Sequence, residues 1–425
     1  MIVTFLDIVL VSSYFLLLFL SIFWMLVLFF PQKDASNSQK KKTFRQPTFA
    51  TIVPAFNEER GIAFTLQSLC DLDYPAEKME IVVVNDGSTD RTKEVVEEFI
   101  LSHPQRKIRL FNQENHGKGA AMNHGLSSLH AEFFACLDAD SSVAPNALQV
   151  MLPLFDTNPK LAAVCPLLKV KNPQSILQKV QWTEYVINMF YKFLNAKIHC
   201  IHVTPGPFSI YRREVISQLG GFDEKTITED LEIAIRLQKH HYQIAQTFAA
   251  TVETESPRTW KSLFWQRVRW YRGGVDNSIA YRDLMFNKKY GDFGVMRMPT
   301  IISSGVIAIF LTTALAQDFL KKGMQVFFSL KEIHFDIFTL LRNYQFHFNF
   351  LSLPFFKLTI ALTLMSLSFF VMYSSFKLVG EKITRYGRTW ASMMTYLLMY
   401  SFFISAVWMY IAYSYLSSKK MGWLK

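Results

Sequence analysis

Cysteine is scarce and scattered. The four present, Cys70, Cys136, Cys165 and Cys200, form no C-x-x-C pair. That argues against a disulfide framework or a thiolate zinc site, and for buried thiols facing a reducing compartment. No zinc finger, helix-turn-helix or RNA-stacking motif occurs, so the formal net charge of +11 does not read as a nucleic-acid surface. A removable signal peptide is also missing. The apolar run at 8–30, "IVLVSSYFLLLFLSIFWMLVLFF", has no basic start and no small-residue cleavage site, and it outlasts the apolar region of such peptides. Charged residues make up only 19% of the chain against 50% hydrophobic, too few for an ordinary soluble enzyme of this length.

What is there is unevenly spread. The uncharged run 8–30 is long enough to cross a bilayer about 30 Å thick. "QKDASNSQKKKTFR" follows, with five basic residues and one acid, and the positive-inside tendency puts this end, and the region after it, in the cytoplasm. The chain turns apolar again after residue 297, with spans expected at 298–318, 350–373 and 392–416. The aromatic stretch 323–348 is interrupted by Lys331, Glu332, Asp336 and Arg342 and reads as interfacial or re-entrant. Four spans would leave the C-terminal "SSKKMGWLK" outside, and a fifth would bring it inside. The expected plan is an N-terminal membrane helix (1–31), a basic cytoplasmic linker (32–47), a catalytic domain (48–250), interface helices (251–297) and a C-terminal membrane region of about three spans (298–425). A net positive charge suits both anionic lipid and phosphorylated substrates.

Between 48 and 250 the pattern alternates. "TFATIVPAF", "MEIVVVNDG" and "AEFFACLDAD" are β-branched or apolar runs ending at polar turns, and amphipathic stretches such as "DRTKEVVEEFILSH" separate them. Strand, turn and helix in repetition predict an α/β fold, a mostly parallel sheet with helices on both faces. Ligands of such sheets gather at the carboxyl ends of strands, which is where the polar residues fall. Pro54, Asn57 and Glu58 end one strand, and Asn85 and Asp86 end the next; each group also reads as an ordinary βα turn with a helix cap. Asp86 is placed to meet a ribose or a base edge. Lys118, between two glycines, can meet a phosphate. Asp138 and Asp140 stand two apart at a strand end, and paired carboxylates without a basic neighbour call for a cation. Hard oxygen ligands favour Mg²⁺ or Mn²⁺ bridging to a diphosphate. Thr228, Glu229 and Asp230 precede an amphipathic helix, where they read either as caps in a favourable helix dipole or as a site with Asp230 as general base.

The segment "TESPRTWKSLFWQRVRWYRGG" crowds indoles among fixed positive charges. Gln266, Arg269 and Trp270 share one helical face, where Arg269 can neutralise a diphosphate and Trp270 can stack on a sugar ring. The opposite side, with Lys261, Leu263 and Arg267, is suited to lie on lipid headgroups.

Taken in order, "VPAFNEE", "NDGSTD", "KGAAMN", "DAD", "TED" and "QRVRW" resemble the membrane-bound family 2 glycosyltransferases that include cellulose, hyaluronan, chitin and poly-N-acetylglucosamine synthases. The resemblance covers roughly residues 48–300. It implies a GT-A type fold with amphipathic interface helices and transmembrane helices. The nucleotide sugar would be held by Pro54, Asn57, Glu58, Asp86, Lys118, Asp138, Gln266, Arg269 and Trp270. It implies a metal on Asp140 and Asp138, an acceptor at Pro205, Gly206 and Trp270, and catalysis at Asp230 with Glu229 and Thr228. The helix "SILQKVQWTEYVINMFYKFLNAK" would float the domain on the membrane. The implied activity is inverting transfer of GlcNAc or Glc from a UDP-sugar to a growing β-linked polysaccharide, coupled to export. Transfer of one sugar to a membrane lipid such as a polyprenyl phosphate or ceramide is the alternative. Two departures matter. Asn85-Asp86 replaces the family's paired acids, and about four spans would leave a polymer channel to a second copy or an accessory subunit.

Overall fold

The computed structural model describes residues 5–30, 45–338, 342, 355–387 and 389–417. The basic linker at 31–44, the second half of the stretch 323–348 and the tail from 418 lie outside the described residues. The sheet has eight strands in the order β3-β2-β1-β4-β7-β6-β8-β5. Its parallel half is β1 (Phe49–Ala55), β2 (Met79–Asp86), β3 (Ile108–Gln113) and β4 (Phe133–Cys136). The other half, β5 (Ser141–Val143), β6 (Leu161–Val170), β7 (Ile210–Arg212) and β8 (Gln243–Thr254), mixes directions: β4 with β7, β7 with β6 and β5 with β8 run antiparallel, and β6 with β8 runs parallel. Continuous apolar runs such as Ile81–Val84 are buried because helices cover both faces, as parallel sheets require.

One apolar layer packs α2 (Ile62–Cys70) and α3 (Thr92–Ser102) under the sheet through Leu66, Leu69, Val96 and Phe99. The other layer carries α4 (Lys118–Ser127) and α9 (Glu229–Lys239) through Ala121, Met122, Ile233 and Leu237. Gly125 allows α4 to seat against β1, since a Cβ there would lie 2.6 Å from Ile52.

Four helices are long and apolar enough to cross a membrane. The first is α1 (Phe5–Phe29) and the second α11 (Met298–Glu332); two more cover Phe355–Val379 and Thr389–Leu416, the last with a π-helical segment at Tyr396–Tyr400. The expected span 298–318 is thus the start of a longer helix. Residues 323–332 continue it instead of forming a separate interfacial segment, because Asp318 and Lys322 pair one turn apart at 2.7 Å and carry it past the apolar run.

The helix expected to float on the surface, α7 (Ile176–Lys197), is instead packed between sheet and membrane helices. Trp182, Tyr185 and Met189 form one core with Leu167, Met372, Phe376 and Val379. Its start is fixed by a reciprocal capping box between Ser175 and Gln178. Its end grips the first membrane helix, where Lys197 Nζ donates to the carbonyls of Leu28 and Phe30 at 2.8 and 3.1 Å.

Candidate active site

The turns that follow β1 and β2 interlock. Asn57, at φ +57, donates its amide to Ser88 Oγ at 3.0 Å and accepts from the Thr89 amide at 2.8 Å. The Glu58 amide donates to Thr92 Oγ1 at 2.8 Å, and Pro54 pairs with Val84 in the strands beneath. These residues shape the carboxyl edge of the sheet, and the Asn57 side chain is engaged in that framework.

Asp86 has a similar task. Its carboxylate accepts from Gln113 Nε2 at 2.7 Å and from the amides of His116 and Gly117 at 3.0 and 2.9 Å. The loop it holds delivers Lys118 at the start of α4, after Gly117 at φ +92.

Lys118 is the hub. Its Nζ lies 2.6 Å from Asp138 Oδ1 and 3.0 Å from Glu229 Oε1, joining the end of β4 to the start of α9. Burial pulls the ammonium's pKa down, but Asp138 and then Glu229 more than reverse this and hold it above its ordinary value. Asp140 lies on the same turn and accepts from Ser141 Oγ at 2.9 Å. Burial, then the Asp138 charge, pushes its carboxyl up to about 6. Thr65 braces the turn from behind, its hydroxyl 2.8 Å from the carbonyls of Ala139 and of Ser141.

A glycine seals the other side. A Cβ on Gly206 would lie 2.8 Å from Lys118 Nζ and 3.2 Å from Asp138 Oδ2, so only hydrogen lets the Pro205–Gly206 turn approach the pair. Two residues earlier, Thr204 donates from its amide and hydroxyl to the Asp230 carbonyl at 3.1 and 2.9 Å. Asp230 is half-buried, and its carboxyl rises to about 6 through burial and then Glu229, against the opposing pull of Lys118 and Arg269. Thr228 occupies the N-cap position of α9 but makes no side-chain cap there; its hydroxyl accepts from Asn277 Nδ2 at 3.1 Å.

The helix α10 (Trp260–Ala280) covers this cluster. A Cβ on Gly273 would lie 2.2 Å from Thr228 Oγ1, so the helix rests directly on that residue. Arg269 acts on Asp230, and Gln266 accepts from Arg267 Nη1. Trp270 packs with the core that includes Trp182 and Phe376, and the Arg267 guanidinium lies 4.2 Å from its ring centroid. Lys261 is exposed as expected, but Leu263 and Arg267 are fully buried. This corrects the headgroup reading of that face. Arg267 instead meets Glu184 of α7, Nε to Oε1 at 3.1 Å with a second contact from Nη2 to Oε2, and Tyr400 donates to Glu184 Oε2 at 2.8 Å. A guanidinium with a bidentate carboxylate partner can be buried where a bare charge cannot.

Lys118, Asp138, Asp140, Gly206, Glu229, Asp230 and Arg269 thus come together, while Asn57, Glu58 and Asp86 support the rim. The stretch from Thr204 to Glu214 was expected at the acceptor, whereas Glu184, Gly273, Asn277 and Tyr400 were not foreseen. The consecutive glycines Gly273-Gly274 inside a helix-length pattern, and the lone acid Glu184 in an aromatic helix, were the available signals.

Asp138 and Asp140 suit a hard divalent cation: both are oxygen donors, and Lys118 meets only part of their charge. Among the described residues no group of three or more His, Cys, Asp or Glu side chains could hold a metal. The remaining ligands of such an ion would therefore come from substrate phosphate and water, the usual habit of Mg²⁺. Beside the site, a cavity of about 460 Å³ lies beyond the ends of β6 and β8, lined by Asn172, Gln174, Ser175, Gln178, Glu255 and Ser256 among others.

Residues 50–220 match the family model described as glycosyl transferase family 2. The chain is 32% identical over 273 residues to a poly-β-1,6-N-acetyl-D-glucosamine synthase of Staphylococcus epidermidis, covering 63% of this chain and 65% of that protein. It is 31% identical over 255 residues to a β-monoglucosyldiacylglycerol synthase of a Nostoc species, covering 60% of this chain and 54% of that protein. The chain therefore spans less than two thirds of the length of these relatives. A mannosyltransferase from Pyrobaculum calidifontis, solved with GDP-mannose and Mn²⁺, aligns over 98% of this chain and 99% of its own, at 18% identity and a TM-score of 0.64. That likeness is one of fold, and it extends through the membrane helices.

Proposed function

Because residues 50–220 form a family 2 glycosyltransferase domain, within a chain whose fold is of the GT-A type, we propose that the protein is an inverting glycosyltransferase. It moves GlcNAc or Glc from a UDP-sugar to a growing β-linked polysaccharide at the cytoplasmic face of a membrane. The observation that carries this reading is a charge arrangement. A carboxylate of raised basicity, Asp230, lies within the field of the Lys118–Asp138 pair on one side and of Arg269 on the other.

In this mechanism Asp230 removes the proton of an acceptor hydroxyl as its oxygen attacks the anomeric carbon from the face opposite the diphosphate. Configuration inverts, so an α-linked donor yields a β-glycoside. A carboxylate near pKa 6 suits the role, since it is ionised at neutral pH yet more basic than an exposed aspartate. Glu229 raises its basicity by charge repulsion, and the Lys118 that Glu229 anchors limits the rise. Arg269 faces the leaving diphosphate, a preorganised cation where negative charge develops. Asp140 and Asp138 would hold a Mg²⁺ or Mn²⁺ ion, which when bound would supply further neutralisation of that diphosphate. Asp86 holds the loop against the nucleoside, with Pro54, Asn57 and Glu58 at its rim. Thr204 fixes Asp230, and the Pro205–Gly206 turn and Trp270 receive the acceptor.

The cavity beyond β6 and β8, lined by amides and hydroxyls together with Lys171, Glu255 and Arg258, offers hydrogen-bonding groups to a glycan acceptor. The Nostoc relative, named for a glucosyl lipid product, favours the second reading, one sugar transferred to a membrane lipid. Four apolar helices and the basic stretch after the first support a multi-pass membrane protein with a cytoplasmic catalytic domain; a second copy or accessory subunit would complete a polymer channel.

Membranes containing the protein, given radiolabelled UDP-GlcNAc or UDP-Glc with Mn²⁺, should yield a polymer; a single lipid-soluble glycoside would select the second reading. Asp230→Asn should lower turnover by roughly 10²–10⁴-fold, the usual worth of a general base, while UDP binding survives. Near-normal transfer by that variant would remove Asp230 from the role.

A further inference from the structure

Three basic side chains lie beside the segment that leads to Thr204, and among the described residues none of them forms an ion pair with a carboxylate. Lys192 comes from α7, His202 from the segment just before Thr204, and Arg297 from a π-helical turn, Phe293–Arg297, where the chain enters α11. Such turns interrupt a helix at a cost and recur at functional positions. Arg297 Nη2 donates to His202 Nε2 at 2.6 Å, so the imidazole serves as a neutral acceptor. Lys192 Nζ and Arg297 Nε are out of contact with solvent; Arg297 Nε has no hydrogen-bond partner, and Lys192 Nζ has only the weak Cys165 thiol beside it. Neither cation joins an ion pair among the described residues.

Burial drives the Lys192 ammonium and the His202 imidazole below their usual values. For His202 the charges of Arg297 and Lys192 push the same way, while for Lys192 the Cys165 thiol and the Asp230 carboxylate oppose the shift. Among the described residues no carboxylate lies within ion-pair distance of either cation, and buried charges so placed are costly; a bound anion would lower that cost.

The position identifies the anion's source. Arg297 stands at the membrane end of the catalytic region. The helix it opens then exposes Val306 and Phe310 along its length, a surface suited to acyl chains. We propose that Lys192, His202 and Arg297 form an anion site that takes the phosphate of a membrane phospholipid at the mouth of the second membrane helix. The phosphate sits between α7 and α11 and against the segment leading to Thr204, which fixes Asp230. Lipid occupancy therefore steadies the acceptor side of the site whatever acceptor is used.

Full-length protein purified in an uncharged detergent tests this by thermal melting and native mass spectrometry, with phosphatidylglycerol, diacylglycerol or inorganic phosphate added separately. Phosphatidylglycerol should raise the melting midpoint and remain bound, and diacylglycerol should do neither. Lys192→Met and Arg297→Gln should each bind phosphatidylglycerol roughly ten-fold more weakly, the worth of one charge-assisted hydrogen bond. Without lipid both should melt no lower than wild type, because each removes an uncompensated charge. Lys192→Arg should retain binding. A Lys192→Met protein that melts earlier without lipid would mean the ammonium is already satisfied, and the site would fall. Equal stabilisation by diacylglycerol, or equal retention by both variants, would also overturn it. Inorganic phosphate that matches phosphatidylglycerol at equal concentration would refute the lipid assignment.

Discussion

Replacing Glu184 by glutamine removes one charge while preserving volume, and it does so beneath the helix that covers the site. The side chain of Arg267 is 0% exposed and that of Glu184 6%. In wild type the guanidinium has Nε 3.1 Å from Glu184 Oε1 and 3.2 Å from the Tyr400 hydroxyl. Burial would lower the arginine's pKa, but Glu184 and then Tyr400 outweigh it and hold it above its ordinary value. Opposite unit charges about 4 Å apart interact by about 4 kcal/mol at an effective dielectric constant near 20. Removal of one partner from a buried pair costs about 3–5 kcal/mol in other proteins. The two figures agree. The face of Trp270 meets the guanidinium in wild type as well, so that contact cancels in the comparison. A net loss of about 3–5 kcal/mol is expected, or a melting midpoint lowered by about 6–10 °C at roughly 2 °C per kcal/mol.

The assay is thermal unfolding in detergent at a fixed scan rate, paired with initial rates of UDP release. Glu184→Gln should lose stability and turnover together, because α10 carries Gln266, Arg269 and Trp270 and would lose its anchor. Adding Arg267→Met removes the stranded charge, and the double variant should recover most of the lost midpoint, since neutral replacement of a buried pair is often neutral or better. A Glu184→Gln midpoint within 1 °C of wild type, or a double variant less stable than the single, would refute the account.

Transfer should fall as pH drops through about 6, because the Asp230 carboxyl raised by burial and Glu229 loses its base form there; at pH 5 roughly a tenth of the activity should remain, and a profile flat from 5 to 7 would count against this base. Asp140→Asn should weaken Mn²⁺ binding in the presence of UDP by about ten-fold or more, measured by titration calorimetry, and Asp138→Asn should do less harm because Lys118 already holds that carboxylate. Gly273→Ala places a methyl 2.2 Å from Thr228 Oγ1; overpacking costs about 1–3 kcal/mol, partly offset by about 1 kcal/mol of helix propensity, so turnover should fall more than the melting midpoint.

Three of the four strands in the parallel half of the sheet were legible because each is an apolar run closed by a polar turn: "TFATIVPAF" holds β1, "MEIVVVNDG" holds β2 and "AEFFACLDAD" holds β4; β3, "IRLFNQ", mixes polar and apolar residues at the sheet edge and was not singled out. The mixed half was not legible. β5 and β7 are three residues each, too short for any period to register, and their pairing depends on distant partners such as Val164 with Ile210. The residues that cluster at the candidate site were legible where they sit in contiguous motifs, as in "DAD" and "TED". What holds them was hidden where it depends on shape. The charge of Asp86 was legible, but that its oxygens accept from the amides of His116 and Gly117 depends on a turn some thirty residues away. Arg267 was assigned to the headgroups because helical periodicity separates two faces without saying what covers each. Here the second face is covered by α7 and the fourth membrane helix.

Those covering contacts follow one pattern, which bears on how the membrane and the chemistry are related. Lys169, near the end of β6, pairs at 2.8 Å with Glu381, whose side chain is 1% exposed and which follows the third membrane helix. Lys179 of α7 donates to the carbonyls of Tyr386 and Gly387 at 2.6 and 3.0 Å. Met298 at the start of the second membrane helix shares a core with Leu231, the neighbour of Asp230. The segment 380–387 therefore lies against the same domain as β6 and α7. Each membrane helix grips an element that in turn grips the site: the first through Lys197 of α7, the second through α9, the third through β6 and the fourth through Arg267 of α10. A soluble transferase would need none of these ties. Here Asp230, Gly206 and Arg269 are held in place partly by the long apolar helices, so under the proposed function loss of lipid should lower transfer before it unfolds the sheet.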